Sequence, residues 1–364
     1  MAEWKECLLG DLVTFQRGKD LPKNKMFGRG YPVIGSNGII GFHNEYTTEN
    51  PSITIGRSGN VGKPFIYYGK TWSHNTTLYI KEFKNVDPIF IYYFLQTLNL
   101  KKYAGGSAVP TLNRNHIHTL NVRIPSSMIH QSKIAKILKI IDDKIKVNKQ
   151  INKNLFDQAQ ELYKNRYVDM VPFNGEIPDD WHLGTVSEII DLHDSKRIPL
   201  SNRERTDLDK IYPYYGATSV MDYVDKYIFD GIYLLLGEDG TVVDSKGFPI
   251  LQYVEGKFWV NNHAHILTGK NGFSVELLYL LFSLTNVQSI VTGAVQPKIS
   301  QANLKNISII IPSKSELNEF DAIIQPIFAQ IRTLRDENNK LISLRDTLLP
   351  KLMSGKLDVS DIDL

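Results

Sequence analysis

The sequence holds a single cysteine, Cys7, among its 364 residues, so no disulfide can close within the chain. A lone thiol of this kind reads as a small buried hydrophobe. The want of a disulfide framework points to an intracellular protein. Long apolar runs are also missing: the longest, around Leu277 to Leu284, is far short of the ~20 residues that cross a bilayer. The opening Met1-Ala2-Glu3-Trp4-Lys5-Glu6 has no apolar core of a signal peptide. A cytoplasmic protein with no membrane partner is therefore expected. Nor does one sign of charge dominate. Lysine and arginine number 42 against 39 acidic residues, a net charge of +3, which permits a polyanionic partner without demanding one. What is present is apolar material at 42% of residues, enough for two or three cores in a chain this long.

Reaction centres are scarce as well. Gly56-Arg57-Ser58-Gly59-Asn60-Val61-Gly62-Lys63-Pro64 looks like a phosphate loop, but the Gly56 to Gly62 spacing is one residue too long. Pro64 also stands where a hydroxyl should meet magnesium. Asp244, Glu255 and Lys257 imitate a nuclease metal site. The first copy of the repeat described below has no acid opposite Glu255, so this reads as a chance match. His263 and His265 find no cysteine or further histidine to complete a zinc set, and are read as surface or DNA-facing. There is no Asn/Asp-Pro-Pro-aromatic loop of a base methyltransferase and no Gly-x-Ser-x-Gly elbow. No catalytic residue, metal or cofactor is expected.

The chain repeats itself instead. Trp72-Ser73-His74-Asn75 returns as Trp259-Val260-Asn261-Asn262, Gly106-Ser107-Ala108-Val109-Pro110 as Gly293-Ala294-Val295-Gln296-Pro297, and Val122-Arg123-Ile124-Pro125 as Ile309-Ile310-Ile311-Pro312. The offset is 187 each time (259 less 72, 297 less 110, 312 less 125). Tyr31-Pro32 returns at Tyr212-Pro213 and Trp4 at Trp181 with slightly shorter offsets. Each copy opens with short strand-like runs punctuated by Gly and Asn, passes a helical patch near Pro88 to Leu100 or Ser274 to Thr285, and meets a Pro-terminated strand.

Each copy closes on a long helical pattern. Leu317, Phe320, Ile324, Ile327, Ile331, Leu334, Asn338, Leu341, Arg345, Leu348 and Leu352 fall at alternating steps of three and four, as do Ile134, Leu138, Ile141, Ile145, Asn148, Asn152, Leu155, Ala159 and Leu162. Each stripe needs a partner, so the two should pair and act as a spacer between globular heads. The repeat offset aligns Asn152 with Asn338 as equivalent positions, and a polar residue in such a seam either fixes register at a cost in stability or marks where the seam surfaces to solvent. Pro326 should kink the second helix or mark its start.

Arg and Lys suit guanine edges and phosphates, Asn and Gln suit adenine, and Asp or Glu accept from cytosine. The loops supply these types: Arg17, Lys19, Lys23, Arg57, Asn60, Lys63, His74 and Asn75 in the first copy. The second offers Lys196, Arg197, Arg203, Arg205, Glu238, Asp239, Asn261, Asn262 and His263. Gly56-Arg57-Ser58-Gly59-Asn60 answers to Gly237-Glu238-Asp239-Gly240-Thr241, so the frame glycines persist while the side chains change sign. A shared frame with different loop chemistry suits two different half-sites.

The whole chain resembles a specificity subunit of a Type I restriction–modification system. The resemblance rests on the opening Trp4 and Trp181, the Gly-rich turns, the stops at Pro125 and Pro312, and the closing Leu348-Leu349-Pro350-Lys351-Leu352-Met353-Ser354-Gly355-Lys356-Leu357-Asp358-Val359. It implies an α+β chain of two target-recognition domains, mixed but β-rich, separated and followed by long helices that form an antiparallel intramolecular coiled coil. The expected divisions are 1–127 and 171–313 for the recognition domains, 128–170 for the first spacer helix, and 314–364 for the second with its tail. It further implies a non-catalytic protein that reads a bipartite duplex DNA site and binds two modification (methyltransferase) subunits, with restriction and motor subunits able to join. Recognition loops vary freely in such proteins, so no contact residue transfers by motif. The competing readings are a stand-alone DNA-binding or regulatory protein with the same domains, an interaction scaffold, and a nuclease at Asp244, Glu255 and Lys257.

Overall fold

A computed structural model describes residues 3–106, 110–293 and 295–362. Part of one repeat match, Ser107 to Val109 with Ala294, lies outside the described residues. The chain divides into two compact units. The first combines Met1–Asn148 with Asp336–Leu364, and the second is Lys149–Arg335.

The first unit contains β1 (Trp4–Leu8), α1 (Leu9–Leu12), β2 (Val13–Arg17), β3 (Tyr31–Gly35), β4 (Gly38–His43), β5 (Ser52–Gly56), β6 (Pro64–Tyr67), β7 (Trp72–Ser73) and β8 (Thr77–Phe83). It continues through α2 (Pro88–Thr97), β9 (Ala104–Gly105), β10 (Thr111–Leu112), α3 (Arg114–His118), β11 (Asn121–Pro125) and the first part of α4 (Met128–Tyr163). An antiparallel sheet in the order β2-β8-β5-β6 backs the core. Every residue of β5 is buried, so it reads as a continuous apolar and hydroxyl run rather than an alternating one. Proline opens α2 and Asp87 caps it, accepting from the Ile89 and Phe90 amides at 2.9 and 2.8 Å. The core joins Leu9, Phe15, Ile53, Phe90 and Ile134 to Leu352 and Val359 from the far end of the sequence.

The second unit runs β12 (His182–Thr185), β13 (Ile190–Leu192), α5 (Asn202–Thr206), β14 (Tyr212–Tyr215), β15 (Val220–Val224), β16 (Phe229–Gly237), β17 (Leu251–Val260) and β18 (Ala264–Gly269). Then come α6 (Val275–Leu284), α7 (Gln301–Lys305), β19 (Ser308–Ile311) and the larger part of α8 (Lys314–Met353). Its main sheet has the order β13-β18-β16-β17-β14-β15. The duplication holds in register. The first and last strands of each repeat pair antiparallel, Trp4 with Pro125 and His182 with Ile311. Gly56 faces Thr77 as Gly237 faces Ala264. The copies differ where β17 runs unbroken for 10 residues, whereas the matching stretch of the first repeat is cut into β6 and β7 around Gly69 at φ +126°.

In each unit, part of α4 packs antiparallel on part of α8. In the first, Asp142 meets Arg345 at 2.8 Å and Asn148 meets Asn338 at 3.1 Å. In the second, Asn152 donates to the Ile331 carbonyl at 3.3 Å, and Phe156 and Tyr163 pack on Phe328 and Phe320. The partner of Asn338 is thus Asn148 and not Asn152, because antiparallel pairing sets register by geometry and not by the repeat offset. Two further seam positions differ from the heptad reading. Phe328 is fully buried while Ile327 is partly so, and Tyr163 turns inward while Leu162 is 42% exposed, just before a π-helical turn at Lys164–Val168. Pro326 does not start α8, which begins at Lys314.

Candidate nucleic-acid interface

In the first repeat, β2 and β5 end side by side on the edges of β8, which brings their following residues together. Arg17 closes β2 opposite Leu78, and Arg57 follows β5 with its amide on the Thr76 carbonyl at 2.8 Å. Both residues line a cavity of about 600 Å³. Burial, and secondarily the Arg17 charge, hold the Arg57 guanidinium below its ordinary pKa. Arg114 and His116 on α3 line the same cavity. The sequence reading missed both. They arrive because the Leu112 amide donates to the Arg57 carbonyl at 2.8 Å and Ser58 bridges Thr111, which docks the chain before α3 onto the Arg57 turn.

Lys19, His74 and Asn75 form a neighbouring group. Lys19 bridges His74 through the backbone and sets its ammonium 5.7 Å from the Trp72 ring, a cation–π distance. His74 Nδ1 lies 3.2 Å from the Thr76 hydroxyl, and the Asn75 amide donates to Asp20. Asn60 is exposed at the turn tip. Lys63 stands apart, over the Phe65 ring, lining a different cavity with Lys101.

The second repeat uses its candidates differently. Arg197 donates to Glu238, to the Ala264 carbonyl at 2.7 Å and to the Asp194 carbonyl at 3.0 Å. Lys298 lies 3.2 Å from Glu238. Asn261 is buried, accepting from the His263 amide at 2.8 Å, and Asp239 holds the His263 ring. Arg205 is buried too, bonded to Asp222 at 3.1 Å and stacked 4.8 Å from Tyr214. Lys196, Arg203 and Asn262 keep their side chains in solvent. Lys23 of the first repeat is likewise exposed.

His265 corrects the sequence reading, for it is fully buried and not on the surface. The cause is that β18 is covered on both faces from Ala264 to Leu267. With Asp194 and Glu238 it forms an acid and imidazole cluster whose ligand-type atoms lie within 4.8 Å of one another. Its Nδ1 meets Asp194 at 2.6 Å and its Nε2 meets the Ile299 carbonyl at 2.8 Å, so neither ring nitrogen is turned toward an ion. Arg197 and Lys298 already answer the carboxylates. Burial works to raise the Asp194 pKa, but hydrogen bonds and charge from His265, with the Ile266 amide and Arg197, outweigh it and leave it below its ordinary value.

The nuclease-like trio is dispersed in local duties. Asp244 closes its own turn, accepting from the Lys246 and Phe248 amides at 2.8 and 3.0 Å. Glu255 lies 3.6 Å from Arg332, and Lys257 sits over the Tyr227 ring. No helix among the described residues is long and apolar enough to cross a membrane.

Two β-rich repeats, each joined to parts of two long paired helices, define the architecture of Type I restriction–modification S subunits. A crystal structure of the S subunit from M. genitalium superposes with a TM-score of 0.62 at 18% identity, covering 96% of each chain. The family model for the Type I restriction modification DNA specificity domain matches residues 1–156 and 178–343, and the chain belongs to that family. The MjaIX specificity subunit of Methanocaldococcus jannaschii is 26% identical, covering 75% of this chain and 70% of its own. The MjaVIII specificity subunit of the same organism is 24% identical over 99% of this chain and 94% of its own.

Proposed function

We propose that this chain is the DNA-sequence-reading subunit of a Type I restriction–modification enzyme, active in the cytoplasm, where DNA is found. Its repeats, residues 1–127 and 171–313, read the two halves of a split duplex target. The helical segments 128–170 and 314–364 dock two modification subunits, which supply methylation, and restriction or motor subunits join through them. The chain itself reads and does not catalyse.

The observation that carries this reading is the contrast at one backbone position. Arg57 and Glu238 occupy equivalent places after equivalent strands, each followed by a bridged residue (Ser58 with Thr111, Asp239 with Lys298), and each carbonyl accepts from the amide one residue past that partner, Leu112 at 2.8 Å and Ile299 at 2.9 Å. One frame therefore carries an arginine lining a cavity in one copy and a carboxylate answered by Arg197 and Lys298 in the other. A protein reading a single repeated half-site would have no use for that difference, since base edges are distinguished by donor and acceptor pattern. The test maps methylated positions in host DNA with and without the gene, then after exchanging residues 1–125 for those of a relative. One half of the methylated motif should change and the other stay. Changes in both halves, or no methylation that depends on the gene, would sink the reading.

A further inference from the structure

The equivalence between the repeats extends beyond Arg57 and Glu238. Leu78 and His265 hold the same place, opposite Ile55 and Leu236. Thr111 and Lys298 bridge Ser58 and Asp239. Arg114 and Gln301 open α3 and α7, one residue after the capping Asn113 and Ser300. Arg17 and Asp194 each lie two residues past the paired Phe15 and Leu192. The second repeat fills this place with a closed set of charges. Asp194 and Glu238 supply two carboxylates. Arg197 and Lys298 pair with them, His265 bonds Asp194, and Gln301 donates to Asp194 at 2.6 Å. The first repeat carries Arg17, Arg57 and Arg114 there, with His116 beside them, around an open cavity of about 600 Å³. No aspartate or glutamate is among its described lining.

We propose that this cavity seats one backbone phosphate of the DNA duplex, and that the second repeat has no such seat because its own carboxylates take the place. The inference rests on the DNA-reading proposal and adds to it which group of the DNA is bound, and where. Arg17 and Arg114 are exposed and Arg57 is half-buried, so an oxyanion would relieve the mutual repulsion of the three guanidiniums and the partial loss of hydration at Arg57 through charge-assisted bonds. A guanine edge is the weaker candidate. It offers two neutral acceptors to a single guanidinium and leaves the others uncompensated. The two repeats then grip DNA unequally, the first through charge and the second without this contact.

The test uses the full chain, in whatever assembly it purifies, with fluorescence anisotropy on a duplex bearing the mapped target and on a scrambled duplex, across a KCl series. Arg114→Gln places the second repeat's own residue at this position, and Arg57→Gln is its companion. Each should weaken binding to both duplexes alike and lower the salt slope by about 1, as expected on losing one phosphate contact. Neither should lower the melting temperature without DNA, since each relieves repulsion. A loss confined to one base pair with an unchanged slope would make the site a base reader and overturn the proposal. So would unaltered DNA binding, or a drop in melting temperature that reveals a structural role. If inorganic phosphate raises the melting temperature of the unaltered chain and not of Arg57→Gln, while DNA binding ignores both variants, the anion is a free one and the DNA source is wrong. Failure of the unaltered chain to bind any duplex would remove the DNA-reading proposal itself, whereas binding that the variants leave intact removes only the phosphate seat.

Discussion

A charge taken out of water must be answered by the chain, and the second repeat shows how completely this can be done. The Asp194 side chain is 4% exposed, with His265, Arg197, Gln301 and the Ile266 amide turned on its oxygens. Asp194→Ala leaves those donors without an acceptor and should cost about 3–5 kcal/mol, the usual loss on breaking a buried pair. Urea unfolding followed by a probe in residues 149–335 measures it. A change under about 1 kcal/mol would mean that water replaces the carboxylate. The pH dependence has a definite sign. The folded pKa of Asp194 lies below its ordinary value, so the stabilisation is present above about pH 4 and is lost as pH falls through the folded value. Acid titration of Asp194→Asn should lack that component. None of this was legible at the residue scale. His265 is read from the sequence as surface or DNA-facing, and burial of β18 on both faces from Ala264 to Leu267 overturns this, since a strand covered on both faces shows no polar alternation. Arg57 and Glu238 were legible as a pair because frame glycines flank both, while Arg114 was not, since long-range backbone contacts of Ser58 with Thr111 and of Arg57 with Leu112 bring it near.

At the scale of elements, apolar periodicity was a good guide, while the helix register was not legible in the sequence. The heptad steps from Ile134 to Ile145 are all buried, as expected of a seam. Yet which Asn faces which depends on where two antiparallel helices cross, and a repeat offset carries no information on that. Asn148 is fully buried and donates from Nδ2 to Asn338 and to Glu337, while among the described residues its Oδ1 has no partner. Such a layer is half satisfied, and an unpaired buried acceptor is costly. Asn148→Leu alone should lower stability by about 1–3 kcal/mol, because Asn338 keeps its polar groups in an apolar seam. Asn148→Leu with Asn338→Leu should recover that loss and raise the melting temperature above the starting value, since apolar replacements of buried polar pairs are often stabilising. Thermal melts of the single and double variants decide it. A double variant no more stable than the single would show that Asn338 is solvated and not held by Asn148.

At the scale of the molecule, the order of residues along the chain and the order of packing differ. The closing segment follows the second repeat in sequence but belongs to the first unit. Leu352 and Val359 are fully buried among Leu9, Phe90 and Ile134. Lys133 donates to the Ser360 carbonyl at 2.7 Å. Between them the helix ends on Gly355 at φ +74°, where an added Cβ would stand 2.8 Å from the Trp4 ring, so both a left-handed turn and a close approach require glycine. The motif was visible in the sequence as a family ending, but its docking partner was not, because proximity in sequence assigns it to the second repeat. Gly355→Ala should therefore destabilise the first unit, through the strained turn and the displaced Trp4. Removing residues 349–364 should do so more severely by emptying Leu352, Met353 and Val359 from that core, each large buried side chain costing about 2–5 kcal/mol. The second unit gains its core from residues between Ala159 and Ile331 and loses none of them. Hydrogen exchange on the truncated chain should then show protection collapsing across residues 9–95 while persisting across residues 232–311. The opposite order, with residues 232–311 opening first, would mean that the tail serves the repeat it follows in sequence and not the one it packs against.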